Sequence, residues 1–230
     1  MRVIGMIGGM SWESTAEYYR LANELVRERR GGYHSARIVL TSVDFADVER
    51  LQVAGEWEVA GELLAAEARR LQAAGADLVV LCTNTMHKVA DAVVGAIDMP
   101  FLHLADTTAD AVRAASVRRV GLLGTRFTME QPFYRDRLAE HGLDVLVPDE
   151  AGREVVHRVI YDELVHGVVR PESREAYVAV MAGLVERGAE GIVLGCTEIE
   201  LLVGAEDTSV PVFPTTRLHV EAAVAAALGE

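Results

Sequence analysis

One pattern occurs twice in this chain, and each copy ends at one of its two cysteines. The first copy, at residues 75–83, reads Gly-Ala-Asp-Leu-Val-Val-Leu-Cys-Thr; the second, at residues 188–197, reads Gly-Ala-Glu-Gly-Ile-Val-Leu-Gly-Cys-Thr. A shorter segment at residues 2–8 is echoed, in the same order along the chain, at residues 119–124. A repeat that preserves its order predicts a duplicated fold of two similar half-domains.

The alternation of apolar runs with longer amphipathic segments indicates the fold class. Short runs rich in Val, Ile and Leu end at Gly or Thr and lead into segments of helical periodicity, which is typical of α/β proteins with mainly parallel sheets. The predicted strands are residues 3–7, 37–42, 78–82, 101–104, 119–123, 144–147, 191–195 and 212–213. The predicted helices are residues 14–30, 57–74, 86–96, 105–115, 129–141, 154–166, 173–187 and 217–228. Left-handed caps are expected after three of them, at Gly75, Gly142 and Gly188.

The repeat also predicts the domain organisation. We expect two pseudo-symmetric α/β domains, residues 1–114 and 115–216, with the last helix, residues 217–230, packing on the first domain. Ligands of open parallel sheets bind beyond the carboxyl ends of the strands, so two facing halves predict an active site in the interdomain cleft.

Composition excludes several classes of partner. The formal net charge of -13 argues against nucleic acid and anionic membranes, which would require a basic surface. No apolar stretch approaches the roughly 20 residues that span a bilayer, and the N-terminus shows no signal-peptide cleavage site. Two cysteines at the ends of apolar runs do not form a disulfide framework. These features predict a cytoplasmic location.

Each cysteine stands where a strand is expected to end and a helix to begin. Thr83, Asn84 and Thr85 follow Cys82, and Thr197 and Glu198 follow Cys196. A helix N-terminus lowers a thiol pKa from about 8.5 and offers backbone N–H groups to a carboxylate, so we expect one thiolate at working pH. A lone cysteine at a strand end is usually a packing residue, but two equivalent ones favour catalysis.

Other chemistries are less well supported by the sequence. A zinc site built from the cysteines with His87 and Glu198 is conceivable, but no Cys-x-x-Cys or paired-His spacing occurs, so no metal is predicted. The glycines of residues 5–11 lack the spacing of dinucleotide and phosphate loops. Lys88, the single lysine among 22 basic residues, is the only candidate for a pyridoxal phosphate Schiff base and more plausibly a solvated or capping charge. No cofactor is predicted.

Longer motifs identify a family resemblance. They are residues 8–13 (Gly-Gly-Met-Ser-Trp-Glu), 43–52, 82–88 (Cys-Thr-Asn-Thr-Met-His-Lys), 122–129 and 195–199 (Gly-Cys-Thr-Glu-Ile). Through them nearly the whole chain resembles the aspartate/glutamate racemase superfamily, in the branch of aspartate racemases and broad-specificity amino-acid racemases. The resemblance implies a pseudo-symmetric two-domain fold with the active site between the domains, a small amino-acid substrate, no pyridoxal phosphate and often a homodimer.

The resemblance also implies roles for individual residues. Cys82 and Cys196 would be the two catalytic acid/base groups, with Cys196 taking the α-proton of the L-form and Cys82 serving the D-form. The candidate substrate-binding residues are Met10, Ser11, Arg50, Gln52, Thr83, Asn84, Thr85, Thr125, Thr128, His166, Thr197 and Glu198. Two residues have open alternatives: His87 orients Cys82 or caps a helix, and Glu198 relays a proton or complements a helix dipole.

Three departures from the family's sequence pattern bear on the substrate. Residues 47–52 read Asp-Val-Glu-Arg-Leu-Gln where many aspartate-specific relatives have Pro-Asp-Arg-Thr, and Pro214 stands where relatives often have Asp. His166 replaces a lysine of many relatives, so a side-chain carboxylate lacks a fixed cation there unless His166 is protonated or Arg50 points inward.

Rival functions remain open at this point. The same scaffold supports hydantoin racemisation, maleate isomerisation and malonate decarboxylation, although a decarboxylase needs only one of the two cysteines. A non-catalytic amino-acid-binding protein is the rival from another class, because a two-lobed cleft can bind without reacting.

Overall fold

The computed structural model describes all residues, 1–230, and contains eight strands and ten α-helices. The strands are β1 (Ile4–Gly8), β2 (Ile38–Ser42), β3 (Leu78–Leu81), β4 (Phe101–Leu102), β5 (Arg119–Gly124), β6 (Asp144–Leu146), β7 (Gly191–Gly195) and β8 (Val212–Pro214). The helices are α1 (Trp12–Arg30), α2 (Phe45–Ala54), α3 (Trp57–Ala73), α4 (Ala90–Val94), α5 (Leu104–Ala114), α6 (Arg126–Glu130), α7 (Pro132–Glu140), α8 (Glu150–Asp162), α9 (Pro171–Glu186) and α10 (Thr215–Leu228). Four 3₁₀ helices complete the chain: Thr85–Val89, Leu164–His166, Thr197–Leu201 and Ala205–Asp207.

These elements form two compact units, one of Met1–Leu104 with His219–Glu230 and one of Ala105–Leu218. Each unit contains one four-stranded parallel sheet, ordered β2-β1-β3-β4 in the first and β6-β5-β7-β8 in the second. The α/β class and the repeated topology predicted from the duplicated pattern are confirmed. The domain boundaries at 114 and 216 stay a prediction.

Buried apolar side chains hold helices on both faces of the first sheet. On one face, α1 packs through Tyr18 and Val26 beside the end of α10, with Val224 fully buried. On the other, α2 and α3 pack through residues such as Val48 and Leu64. β1 and β3 are buried along their whole lengths, which explains their continuous apolar sequences.

In the second unit, α8 and α9 cover one face of the sheet. Val156 and Ile160 of α8 and Tyr177 and Met181 of α9 pack against residues of β5 and β7 such as Leu123. Burial of this apolar surface supplies the main stabilisation of the unit.

Helix termini match the local sequence at several points. Gly75, Gly142 and Gly188 have φ of +86°, +81° and +95°, as predicted for the ends of three helices. Asp44 and Asp149 cap α2 and α8 by accepting from backbone N–H groups.

The structure differs from the predicted helices in four places. Residues 86–96 form the 3₁₀ helix Thr85–Val89 followed by α4. Residues 129–141 divide into α6 and α7 because Pro132 lacks an N–H group and Gln131 before it is extended. α8 begins four residues before the expected 154 and stops at Asp162. α2 was missed, because its short apolar periodicity lies directly before that of α3.

No helix of the protein combines the length and the apolar character needed to cross a membrane.

Candidate active site

The first thiol, Cys82, follows β3 directly. Its backbone N–H donates to the Ile7 carbonyl at 2.9 Å, which continues the β1–β3 ladder to the strand end. The side chain has no solvent exposure, and this burial raises the pKa of the Cys82 thiol far above its usual value. Cys82 is therefore a neutral thiol.

The loop after β1 is bonded to Cys82. The Ser14 hydroxyl donates to the Cys82 carbonyl at 3.5 Å, and Ser11 caps α1 by accepting from Ser14 N–H at 3.2 Å. Gly9 has φ of +94°, and a Cβ there would lie 2.2 Å from the Val43 carbonyl oxygen, so only glycine fits. Predicted site residues Met10 and Ser11 are thus buried beside the first thiol's strand.

His87 holds the segment after Cys82 by two hydrogen bonds. Its Nδ1–H donates to the Thr83 carbonyl at 2.7 Å, and its Nε2 accepts from the Leu104 N–H at 3.2 Å. Both bonds together require the neutral ring with the proton on Nδ1. Burial, with smaller contributions from His103 and His219, lowers the pKa of His87 well below its usual value. His87 therefore orients the Cys82 segment instead of only capping a helix.

His219 is a second buried neutral histidine of this unit. Its Nε2–H donates to the Leu102 carbonyl at 2.8 Å, and its Nδ1 accepts from the Tyr18 hydroxyl at 2.9 Å. Burial lowers its pKa to about 4. Both ring nitrogens are thus engaged, and a proton on Nδ1 would replace the hydrogen bond that this nitrogen accepts from the Tyr18 hydroxyl.

α2 presents two predicted residues on opposite faces. The Gln52 side chain is buried and its Nε2 lies 3.0 Å from Met86 Sδ, beside the Cys82 segment. Arg50 is 73% exposed and pairs with Asp47 at 3.0 Å. The structure places Gln52 against Met86, four residues after Cys82, and leaves Arg50 facing solvent.

The second thiol, Cys196, follows β7 and is half-buried. Its Sγ–H donates to Glu198 Oε2 at 2.9 Å. Burial first, and then the negative charge of Glu198, raises the pKa of the Cys196 thiol well above its usual value. The two thiols therefore differ: Cys196 has a carboxylate partner, whereas burial alone raises the pKa of Cys82.

The raised pKa of both thiols runs against the expectation of one thiolate stabilised by a helix N-terminus. The segments that follow them are 3₁₀ helices of five residues, Thr85–Val89 and Thr197–Leu201. Loss of hydration outweighs the field of so short a helix, since burial disfavours the charged form of a thiol.

Threonines follow the two strand ends at the level of the second thiol. Gly124 of β5 is in register with Gly195 of β7, so Thr125 and Cys196 leave neighbouring strands at the same level. Thr125 caps α6 by accepting from Thr128 N–H, and both side chains are buried. The Thr197 hydroxyl lies 2.9 Å from that of Thr216.

The remaining predicted residues are distributed as follows. Asn84 and Thr85 are buried directly after Cys82, and Thr83 is half-buried there. His166 is exposed at the end of the 3₁₀ helix Leu164–His166, which packs against the one that carries Glu198.

Several contributing residues were missed from the sequence. Ser14, which is bonded to the Cys82 carbonyl, was detectable from its spacing of three after the capping Ser11. Thr216 and His219 approach through tertiary contacts that no local pattern signals.

Two further observations concern possible cofactors. Lys88 Nζ lies 3.8 Å from the ring centroid of Trp57, and burial lowers the pKa of this amine. The structure contains no cluster of three or more His, Cys, Asp or Glu side chains placed to bind a metal ion.

Comparison with known proteins identifies the family. A family model described as Asp/Glu/hydantoin racemase matches residues 7–223. A candidate Asp/Glu racemase from Yersinia pestis is 52% identical, with a TM-score of 0.94 over 99% of this chain and 100% of that one. An aspartate racemase homologue from Pyrococcus horikoshii is 35% identical, with a TM-score of 0.88 over 99% of this chain and 100% of that one. A broad-specificity amino-acid racemase of Bacillus subtilis is 22% identical over 150 residues, 64% of this chain and 63% of that protein. The family model spans nearly the whole chain, and the Yersinia pestis and Pyrococcus horikoshii structures align with it from end to end. The protein therefore belongs to the Asp/Glu/hydantoin racemase family.

Proposed function

We propose that the protein is a cofactor-independent amino-acid racemase in which Cys82 and Cys196 act as paired acid and base. The observation that carries the proposal is the equivalence of the two thiols. Each directly follows the strand that pairs with the first strand of its sheet, β3 with β1 and β7 with β5. Each is followed within three residues by a short 3₁₀ helix, Thr85–Val89 after Cys82 and Thr197–Leu201 after Cys196, so the fold presents a thiol at a strand end twice.

The chemistry of inversion explains why two such groups are needed. A proton must leave one face of the α-carbon and another must arrive on the opposite face, which is simplest with one group on each side. From the L-form, the Cys196 thiolate takes the α-proton and becomes a thiol, while the C–H electron pair passes into the planar intermediate. The Cys82 thiol then donates its proton to the other face and becomes a thiolate. The reverse direction exchanges the two roles.

Glu198 is placed to accept the proton that Cys196 must lose. Its Oε2 already accepts from Cys196 Sγ at 2.9 Å, so proton transfer along that bond leaves a thiolate beside a neutral carboxyl group. A substrate ammonium nearby would lower the raised pKa of the Cys196 thiol and favour this transfer. Hydroxyl and amide groups of Thr83, Asn84 and Thr197 would bind the substrate carboxylate and stabilise charge in the intermediate.

The substrate is aspartate, glutamate or a related polar amino acid. Arg50 is exposed and paired with Asp47, and His166 is exposed, so neither supplies a buried cation for a side-chain carboxylate. This favours a broad range of side chains over strict selection for aspartate. The free cysteines fit a reducing compartment, so we propose that the enzyme works in the cytoplasm, as a homodimer.

Proton NMR in D₂O tests the proposal directly. The purified protein is incubated, without added pyridoxal phosphate, with the L- and D-forms of aspartate, glutamate and several neutral amino acids. We expect loss of the α-proton signal and appearance of the opposite enantiomer. Cys82→Ala should still exchange the α-proton of the L-form without inverting it, and Cys196→Ala should do so for the D-form. Normal interconversion by Cys82→Ala would refute the two-cysteine mechanism.

An amino-acid-binding protein is the second candidate, and one observation favours it. Both thiols are held in the neutral form, which is the unreactive one. A rise in melting temperature with an amino acid, without α-proton exchange across the panel, would identify a binding protein.

A further inference from the structure

Lys88 is the one lysine of the chain, and the proposed proton transfers do not use it. It lies in the 3₁₀ helix Thr85–Val89, six residues after Cys82. Its Nζ lies over the ring of Trp57, 3.8 Å from the ring centroid. Because Trp57 is the first residue of α3, this contact joins the segment after the first thiol to the start of a long helix.

α3 passes close to this segment one turn further on. A Cβ at Gly61 would lie 3.1 Å from the Cβ of Ala92 and 3.6 Å from the Cβ of Val89, so a glycine at this position allows the close approach. Trp57 and Gly61 are four residues apart and therefore share one face of α3. The ring of Trp57 is thus held over the end of the 3₁₀ helix by the packing of the helix that carries it.

The contact between Lys88 and Trp57 depends on the charge of the amine. The face of an indole ring is electron-rich and attracts a cation, and this attraction is stronger where water is partly removed. Burial lowers the pKa of Lys88, because it removes part of the water around the ammonium group. The ring acts in the opposite direction, since it interacts favourably only with the charged form.

The segment that Lys88 ends carries groups proposed for the reaction. Residues 83–89 directly follow Cys82 and include Asn84, whose side chain is buried. His87 fixes the middle of the segment through the Thr83 carbonyl and the Leu104 N–H. Lys88 is the next residue and contacts a different element, α3, so the segment is held on two sides.

We propose that Lys88 is a positioning residue, whose charge on the Trp57 ring fixes residues 83–89 and so holds Asn84 and the Cys82 thiol in place for proton transfer. The catalytic part of this inference rests on the proposed function, whereas the contact itself does not. Loss of the charge should let the segment open more often while the sheet behind it stays folded, because local opening needs less free energy than global unfolding.

Amide hydrogen exchange followed by mass spectrometry tests the contact with the full chain. Lys88→Met keeps an unbranched side chain without the charge, and Lys88→Arg keeps a cation that stacks on aromatic rings. We expect peptides covering residues 83–90 to exchange about fivefold faster in Lys88→Met and at the wild-type rate in Lys88→Arg. Arg69→Met removes an exposed charge from the same helix and should leave this exchange unchanged.

A double-mutant cycle separates the contact from the packing of the ring. Trp57→Leu removes the ring, so it should accelerate exchange of residues 83–90 by at least as much as Lys88→Met does. The double variant Lys88→Met/Trp57→Leu should exchange no faster than Trp57→Leu alone, because the second change then removes nothing further. Fully additive effects would show that the two side chains act separately and would overturn the contact.

Racemisation measures the positioning role. Lys88→Met should lower kcat/KM about tenfold, since a displacement of reacting groups by about 1 Å can cost a factor of about 100, and Lys88→Arg should remain near wild type. Wild-type amide exchange in Lys88→Met would overturn the inference. Faster amide exchange with unchanged racemisation would overturn the positioning role alone. A wild-type protein that exchanges no α-proton would refute the proposed function and this role with it, while the amide exchange would still decide the contact.

Discussion

Replacing Glu198 by glutamine should make Cys196 more acidic and more reactive. The Cys196 Sγ–H bond to Glu198 Oε2 stabilises the protonated thiol, and a thiolate at that place would be repelled by the carboxylate. A hydrogen bond to a charged group contributes about 1.5–3 kcal/mol, and a thiol is a weak donor, so the lower end applies. Because about 1.4 kcal/mol corresponds to a factor of ten, the acid dissociation constant of Cys196 should rise about tenfold in Glu198→Gln.

The sign follows from which form the carboxylate favours. Glu198 raises the pKa of Cys196, so removing its charge lowers that pKa and increases the thiolate fraction at every pH below it. Alkylation by iodoacetamide, followed from pH 6 to 9 in a Cys82→Ser background, should therefore be about tenfold faster at a fixed pH. Glutamine preserves the size of the side chain and can still accept a hydrogen bond.

Glu200→Gln is the matched control. Glu200 is exposed two residues further on, and its charge raises the pKa of Cys196 less than that of Glu198 does. Its removal should change the alkylation rate much less than tenfold. Racemisation by Glu198→Gln should fall even as alkylation accelerates, because the variant cannot accept the thiol proton. An unchanged or slower alkylation rate in Glu198→Gln would refute this account of the pair.

Three further predictions concern the fold around the first thiol. Gly9→Ala should lower the free energy of unfolding in urea by about 1–3 kcal/mol more than Gly31→Ala, since both have positive φ but only Gly9 would clash with backbone. The pKa of His219 is lowered to about 4, so the contribution of its neutral ring to the free energy of unfolding is complete above pH 6.5 and is lost as the pH falls. Wild-type stability should therefore drop between pH 7 and pH 5 by about 2 kcal/mol more than that of His219→Gln. The stability of the control His34→Gln, at an exposed position, should follow that of the wild type. His87→Asn keeps a donor at the position of Nδ1 and should retain at least tenfold more α-proton exchange than His87→Gln, and equal rates would contradict the positioning role.

The central strands were predictable from sequence because each is a continuous buried apolar run. β1, β3 and β7 are buried at every position, so hydrophobicity alone marks them to within a residue or two. The helices were less predictable where tertiary contacts decide. Residues after Cys82 fold as a 3₁₀ helix because His87 bonds back to the Thr83 carbonyl, a contact that helical periodicity does not encode.

The residues of the candidate site likewise divide into those that the sequence could locate and those that it could not. The residues that follow the strand ends, such as Asn84 and Glu198, could be located because their positions depend only on where a strand stops. Gln52 and Arg50 could not be distinguished, because the unpredicted helix α2 decides that Gln52 is buried and Arg50 exposed. The raised pKa of both thiols could not be predicted for a related reason: burial depends on everything packed around a side chain, whereas a motif records only its neighbours in the chain.

The duplicated fold places the thiols at equivalent positions but in different polar surroundings. The equilibrium of the reaction limits the effect that this difference can have on catalysis. Cys196 has a carboxylate that can accept its proton, whereas the pKa of Cys82 is raised by burial alone. The two enantiomers of an amino acid have equal free energies, so the equilibrium constant of racemisation is one, and kcat/KM must be the same in both directions. The Glu198 carboxylate therefore cannot favour one product. It can only decide which thiol is deprotonated more easily in the free enzyme, and with it the individual kcat and KM values of each direction. For the proposed racemase, Glu198→Gln should consequently change the ratio of the two kcat values while the two kcat/KM values fall equally.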